Sequence, residues 1–148
     1  MNLKLNWKTA AMAIVMTVPM LAGGIWLEFG NPTASSDPKA KDALALVRAT
    51  GCHEPEKALF TATAEGKVDG KRQSIPLEVV GLSTRGLYAL KGSVPKEGSW
   101  VIAVNSTLDG SFLVSAILPV SAKGADRTLA KTIRRPLNDD DLSAALRP

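Results

Sequence analysis

The strongest constraint on the fold is a series of short strand-like segments separated by tight-turn signals. In ALFTATAEGKVDGKRQSIPLEVVGL, the odd positions from Leu59 to Glu65 alternate with Phe60, Ala62 and Ala64. A period of two is typical of a β-strand with one buried face. Asp69-Gly70 follows, and Asp-Gly readily adopts the positive φ angles of a two-residue hairpin turn. The segment therefore predicts a β-hairpin.

The same rhythm continues as far as Val120. Strand-like segments at 87–90, 99–107 and 111–120 are separated by a Pro/Gly loop and by a second turn signal, Asp109-Gly110. Short strands at regular spacing with such turns indicate an all-β antiparallel sandwich. Pro76 has no N–H to donate, so its strand is predicted to lie at a sheet edge or to carry a bulge.

Three aromatic residues of this region are predicted to pack between the sheets: Tyr88, Trp100 and Phe112. An exposed ring would instead suit a carbohydrate binder or a weak hydrolase. Solvent exposure of the rings decides between these alternatives.

The N-terminus has the pattern of a secretory signal or a membrane anchor. Lys4 and Lys8 precede an uncharged run from Thr9 to Leu27, and such a basic start followed by an apolar run directs export. Ala22-Gly23-Gly24 is a small-residue cleavage site. However, the run is about the 20 residues needed to cross a bilayer, so both alternatives stay open.

The leader and the changes in composition divide the chain into four predicted parts. They are the signal peptide or anchor (1–27), a polar linker (28–42), the β-sandwich domain (43–122) and a tail with a short helix (123–148). KDALALVRAT fits a helix capped by Asp37-Pro38 or a strand. The strand is favoured because strand-like segments follow it.

The tail helix is predicted from its capping residues. Asn138 is a good N-cap, and three consecutive acids, Asp139 to Asp141, then lie in the first turn, where the helix dipole favours negative charge. A calcium loop would spread its oxygen ligands around a glycine turn and end in a glutamate. Helix capping is therefore favoured over a cation site.

The only cysteine and the only histidine are adjacent in GCHEP, as Cys52 and His53. They are the candidate ligands of a metal or redox site. All four methionines lie in the leader, so the exported part offers no other soft ligand. A metal site here would need a second molecule, with Glu54 and Glu56 assisting. An intermolecular disulfide through Cys52, or its burial as a small apolar side chain, are the alternatives.

Motifs for catalysis and nucleic-acid binding are missing from the sequence. There is no Gly-rich phosphate loop, no Gly-x-Ser-x-Gly and no His-Glu-x-x-His, so no catalytic residue and no cofactor are predicted. The 18 basic residues include two in the leader and face 14 acidic ones, too balanced for a nucleic-acid binder. Lys67, Lys71 and Arg72 cluster at one turn, which favours a solvated hairpin tip over an anionic partner.

The segment GLYALKGSVPKEGSWVIAV carries a resemblance. Its Gly-x-Tyr strand, Pro/Gly turn and apolar strand resemble small exported immunoglobulin-like β-sandwich modules, with the FixH/YtkA-like envelope domains of bacteria as the nearest group. The similar region runs from about Leu59 to Val120. The resemblance implies an immunoglobulin-like fold, and no metal motif of those domains matches residues here.

Together these features predict a non-catalytic β-sandwich module that serves as an interaction or accessory protein of the bacterial envelope. It is expected outside the cytoplasm, held to the inner membrane through residues 9–27 or released by cleavage. The expected partner is another envelope or membrane protein. The alternative is a metal or redox accessory protein that uses Cys52 and His53.

Overall fold

The computed structural model describes residues 24–147. Its strands are β1 (Trp26–Gly30), β2 (Ala45–Thr50), β3 (Leu59–Val68), β4 (Lys71–Gly81), β5 (Tyr88–Lys91), β6 (Ser99–Leu108), β7 (Ser111–Ser121), β8 (Gly124–Ala125) and β9 (Lys131–Ile133). One α-helix, α1 (Asp139–Ala145), follows, and short 3₁₀ turns lie at Pro32–Ala34, Pro38–Ala40, Pro55–Lys57 and Arg127–Leu129. The predicted all-β class with a short C-terminal helix is confirmed. The predicted N-terminal helix lies outside the described residues, except for its end at 24–27.

The strands form one curled antiparallel sheet in the order β1-β2-β5-β4-β3-β6-β7-β8. β9 also pairs with β7, at residues 115–117, whereas β8 pairs at residues 120–121. β4 joins two halves of this sheet. Its residues 71–77 pair with β3, and its residues 78–81 pair with β5. The sheet curls until β1 contacts β7. Pro76 lies in the part of β4 that has a partner on one side only, as a residue without an N–H requires.

The inner face of the curled sheet forms the main core. β3 shows the predicted alternation, with Phe60, Ala62 and Ala64 buried inside. The core contains small side chains such as Ala62 and Ala64 as well as large ones such as Leu90 and Ile102. Trp100 lies over Gly66, its partner across β3 and β6, and a Cβ on Gly66 would collide with the indole ring.

Each half of the sheet is also covered on its outer face. In the segment after β1, Ala40 packs against Leu46 and Ala89 on one half, and Leu146, directly after α1, packs against Val101 and Ile117 on the other. This second covering explains why β6 is buried on both faces over most of its length.

The predicted tail helix is capped as expected. The Asn138 side chain accepts a hydrogen bond from the Asp141 N–H (2.9 Å), and the Asp141 carboxylate accepts one from the Asn138 N–H (3.0 Å). Arg135 donates to the same carboxylate at 2.7 Å. These contacts, with the Arg135 guanidinium first, lower the pKa of Asp141 to about 2.

Strands of the sheet extend into the predicted linker (28–42) and into the predicted tail (123–148). Glu28 to Gly30 belong to β1 and pair with β2, and Leu27 is buried in the core. The alternation Ile25-Leu27-Phe29 indicates this strand, but it is hidden at the end of the apolar leader. The sheet also extends past residue 122, because β8 and β9 add their backbone hydrogen bonds to β7.

The prediction that the Phe112 side chain packs between the sheets is wrong, because the ring is partly exposed. Both Asp-Gly turns have the expected positive φ angles, 48° and 77° at Asp69-Gly70 and 51° and 78° at Asp109-Gly110. In the second hairpin, however, the register shifts between Ser106 and Thr107. A bulge of this kind re-aims the neighbouring side chains, and Phe112 is 39% exposed.

Candidate functional site

Three connections meet at one end of the strands, which we call the loop end. They are residues 51–58, 82–87 and 109–110. They meet there because β2, β4 and β6 run in one direction and end there, and the next strands in the chain, β3, β5 and β7, begin there and run back. Gly86 lies against Glu56, and the Asp109 carboxylate acts on the Lys57 ammonium. The described chain also begins at this end, where Gly24 lies against Gly51.

The GCHEP residues lie in the first of these connections. Cys52 is half-buried and packs against the main core, whereas His53 is exposed. Glu54 has a left-handed backbone (φ 56°) and precedes the 3₁₀ turn Pro55–Lys57. The structure therefore favours a packing role for Cys52 and points the neighbouring imidazole into solvent.

One ion pair lies within this connection. The Glu54 carboxylate lies 2.6 Å from the Lys57 ammonium. The hydrogen bond to Glu54 and its negative charge raise the pKa of Lys57, and the charge of Asp109 adds to the same effect. Within residues 24–147, no group of three or more His, Cys, Asp or Glu side chains is placed to hold a metal ion. A metal at Cys52 and His53 would thus need ligands from a second molecule.

Two of the predicted core aromatics are inside. Trp100 is 4% exposed, and its Nε1–H donates to the Glu97 carbonyl at 2.7 Å. Tyr88 packs edge-on against Phe60, with ring centroids 5.1 Å apart. The buried Trp100 ring offers no platform for a sugar, whereas the Tyr88 ring is partly exposed.

Exposed apolar side chains mark the outer face of the sheet beside the loop end. Leu59 pairs with Thr107 on β6, which pairs in turn with Phe112 on β7. Leu59 is 62% exposed and Phe112 is 39% exposed. Strands are spaced by about 4.8 Å, so Leu59 and Phe112 stand about 10 Å apart on one face. We call these three residues the Leu59/Phe112 row.

Toward the centre of the sheet this row borders uncharged residues, whereas Lys57 and Asp109 lie on its loop-end side. The next cross-strand row toward the centre of the sheet holds Thr61, Asn105 and Ser115, and the Ser115 hydroxyl donates to the Asn105 side chain at 2.6 Å. Contiguous exposed apolar patches mark binding sites, and Leu59 and Phe112 stand on one face of the sheet. The sequence shows Leu59 on an outward face otherwise made of Thr and Glu, whereas Phe112 joins it only through the bulge.

Two grooves lie away from the loop end and from the Leu59/Phe112 row. One of about 740 Å³ separates residues 31–44 from the β7–β8 hairpin and is lined by side chains of both charges. Another of about 620 Å³ runs between β9 and α1 and is mainly apolar, with Leu129 and Ile133 in its wall. Neither contains Cys52 or His53.

No family model matches the chain, and comparison with the curated proteins and with the solved structures gives no significant match. Among residues 24–147, no helix has the length and apolar character needed to cross a bilayer.

Proposed function

We propose that this protein is a non-catalytic, exported interaction module of the bacterial envelope that docks another envelope or membrane protein. The observation that carries the proposal is the exposed, uncharged Leu59/Phe112 row beside the loop end. The row lies at the end of the strands where the chain enters the domain, at Gly24. A partner that lies close to the membrane would meet this end first if the leader remains attached.

The proposal includes an immunoglobulin-like sandwich. In that fold, strands A, B, E and D form one layer and C, F and G form the other. The strand orders β1-β2-β5-β4 and β3-β6-β7 support this proposal, because they match the chain order of the two layers. β4 would cross from one layer to the other at Leu77. The resemblance to FixH/YtkA-like envelope domains enters the proposal at this level, as a shared fold.

The leader supports export, and the position of β1 limits where the leader can end. Leu27 is buried and Trp26 begins β1, so the leader must end before Ile25 for the domain to be complete. The uncharged run that remains, Thr9 to Gly23, is about 15 residues, a length that suits a cleaved signal better than a membrane span. Cleavage after Gly24 would release a chain that begins directly before β1.

Affinity purification of the intact protein from its native envelope tests this function. Wild type is compared with a Leu59→Ser/Phe112→Ser variant and with Leu129→Ser, which changes an exposed leucine (57%) away from the row. We expect the same partner with wild type and Leu129→Ser, and its loss with the double variant. The mass of the purified chain reports cleavage. Equal recovery of all co-purifying proteins with the three chains would refute docking through the row.

A further inference from the structure

A second surface lies at the opposite end of the strands from the loop end, beside the Asp69-Gly70 turn. An open groove of about 490 Å³ separates the β3–β4 hairpin from the end of α1. Its polar lining side chains are Lys67, Arg72, Ser99, Ser143 and Arg147. We call it the basic groove. Among the described residues, no carboxylate side chain lines it.

The register of the hairpin concentrates positive charge in this groove. Lys67 lies directly opposite Arg72 on the neighbouring strand, and like charges in that position repel each other. Arg72 is partly compensated, because its guanidinium lies 3.6 Å from the Glu65 carboxylate and donates to the Ser143 hydroxyl at 3.3 Å. Within residues 24–147, Lys67 makes no ion pair.

Hydrogen-bond donors accompany these charges on two walls. Ser99 is the cross-strand partner of Lys67 on β6, so Arg72, Lys67 and Ser99 form one row across three strands. Ser143 lies on α1, within reach of Arg72. Cations and hydroxyls that surround one space are the groups with which proteins bind oxyanions, and a planar guanidinium suits phosphate especially.

We propose that the basic groove binds a phosphate group of a soluble ligand. A bound phosphate would neutralise the repulsion between Lys67 and Arg72 and accept hydrogen bonds from the flanking hydroxyls. If the leader remains attached, a lipid phosphate is disfavoured by position, because the chain enters the domain at Gly24, at the opposite end of the strands. For a cleaved chain, the vesicle experiment below separates a lipid phosphate from a soluble one. This site is independent of docking through the Leu59/Phe112 row.

Titration of the full chain with inorganic phosphate at constant ionic strength tests the site, with binding followed by calorimetry. Lys67→Gln removes a lining charge, and Lys71→Gln is its matched control, because Lys71 lies on the same hairpin outside the groove. We expect saturable binding that Lys67→Gln weakens roughly tenfold and that Lys71→Gln leaves within about twofold. Equal weakening by both changes would show diffuse charge attraction and overturn the site.

Melting temperatures give a second readout that does not depend on weak heats. Lys67→Gln relieves the like-charge pair, so we expect it to melt at a higher temperature than wild type in chloride and to lose the rise caused by phosphate. A phosphate-induced rise retained in Lys67→Gln would contradict the proposal. So would association with phosphatidylglycerol vesicles in the absence of saturable phosphate binding, because it would indicate a lipid surface as the ligand.

Discussion

The β3–β4 and β6–β7 hairpins share one turn sequence, Asp-Gly, and differ in what they present. The first keeps its register from Ala62–Leu77 to the turn and places Lys67 beside Arg72. The second shifts register at Ser106/Thr107 and turns Phe112 outward. Two residues therefore determine the turn, whereas the side chains that each hairpin exposes depend on the register along the whole strand.

The largest expected effect concerns the packing that holds the first hairpin. In Gly66→Ala, the new methyl group collides with the Trp100 ring, and overpacking of this kind costs about 1–3 kcal/mol of unfolding free energy. Gly81→Ala is the control, because its Cβ would lie 3.7 Å from Tyr88, an ordinary contact. Urea denaturation measures both variants. Equal midpoints would show that Trp100 does not depend on Gly66.

A smaller and equal loss is expected when each turn is changed. Gly70 and Gly110 both have positive φ, and a Cβ on either would meet open space. Alanine at each position therefore costs only the backbone strain, about 1 kcal/mol. Thermal melts of Gly70→Ala and Gly110→Ala test whether the two turns are equivalent. A difference above about 0.5 kcal/mol would mean that the bulge already strains the second turn.

The exposed row should matter little to stability. Leu59→Ser changes a side chain that is 62% exposed, so the unfolding free energy should stay within about 0.5 kcal/mol of wild type. Leu118→Ser, at a fully buried position of β7, serves as the contrast and should be severely destabilised. Comparable losses in chemical denaturation would show that Leu59 belongs to the core and is not a docking residue.

The last prediction concerns the pH dependence of α1, which covers the outer face beside the basic groove and leaves the Leu59/Phe112 row open. Folding lowers the Asp141 pKa from 3.8 to about 2, so its ionised form stabilises the fold above pH 3.8. That contribution is lost as the pH falls toward 2. Asp141→Asn should therefore melt below wild type at pH 5, with the difference shrinking toward pH 2. A constant difference would contradict the linkage.

The parts of this molecule that sequence predicts are those with local causes. Both Asp-Gly turns, the alternation of β3 and the Asn138 cap each depend on a few neighbouring residues. β1 was hidden because its apolar alternation continues the apolar leader. The bulge that exposes Phe112 was missed because it depends on pairing between strands. Cys52 packs against the core in a connection whose course no local pattern encodes.

Site-specific photo-cross-linking in the native envelope tests docking through the Leu59/Phe112 row most directly. p-Benzoylphenylalanine is placed in the full chain at position 59, at position 112 or, as the control, at position 129. We predict an adduct of one common mass from 59 and 112, containing a different envelope protein, and none of that mass from 129. Folded chains that yield no adduct from the row, or only the mass of two copies of this chain, would contradict the account.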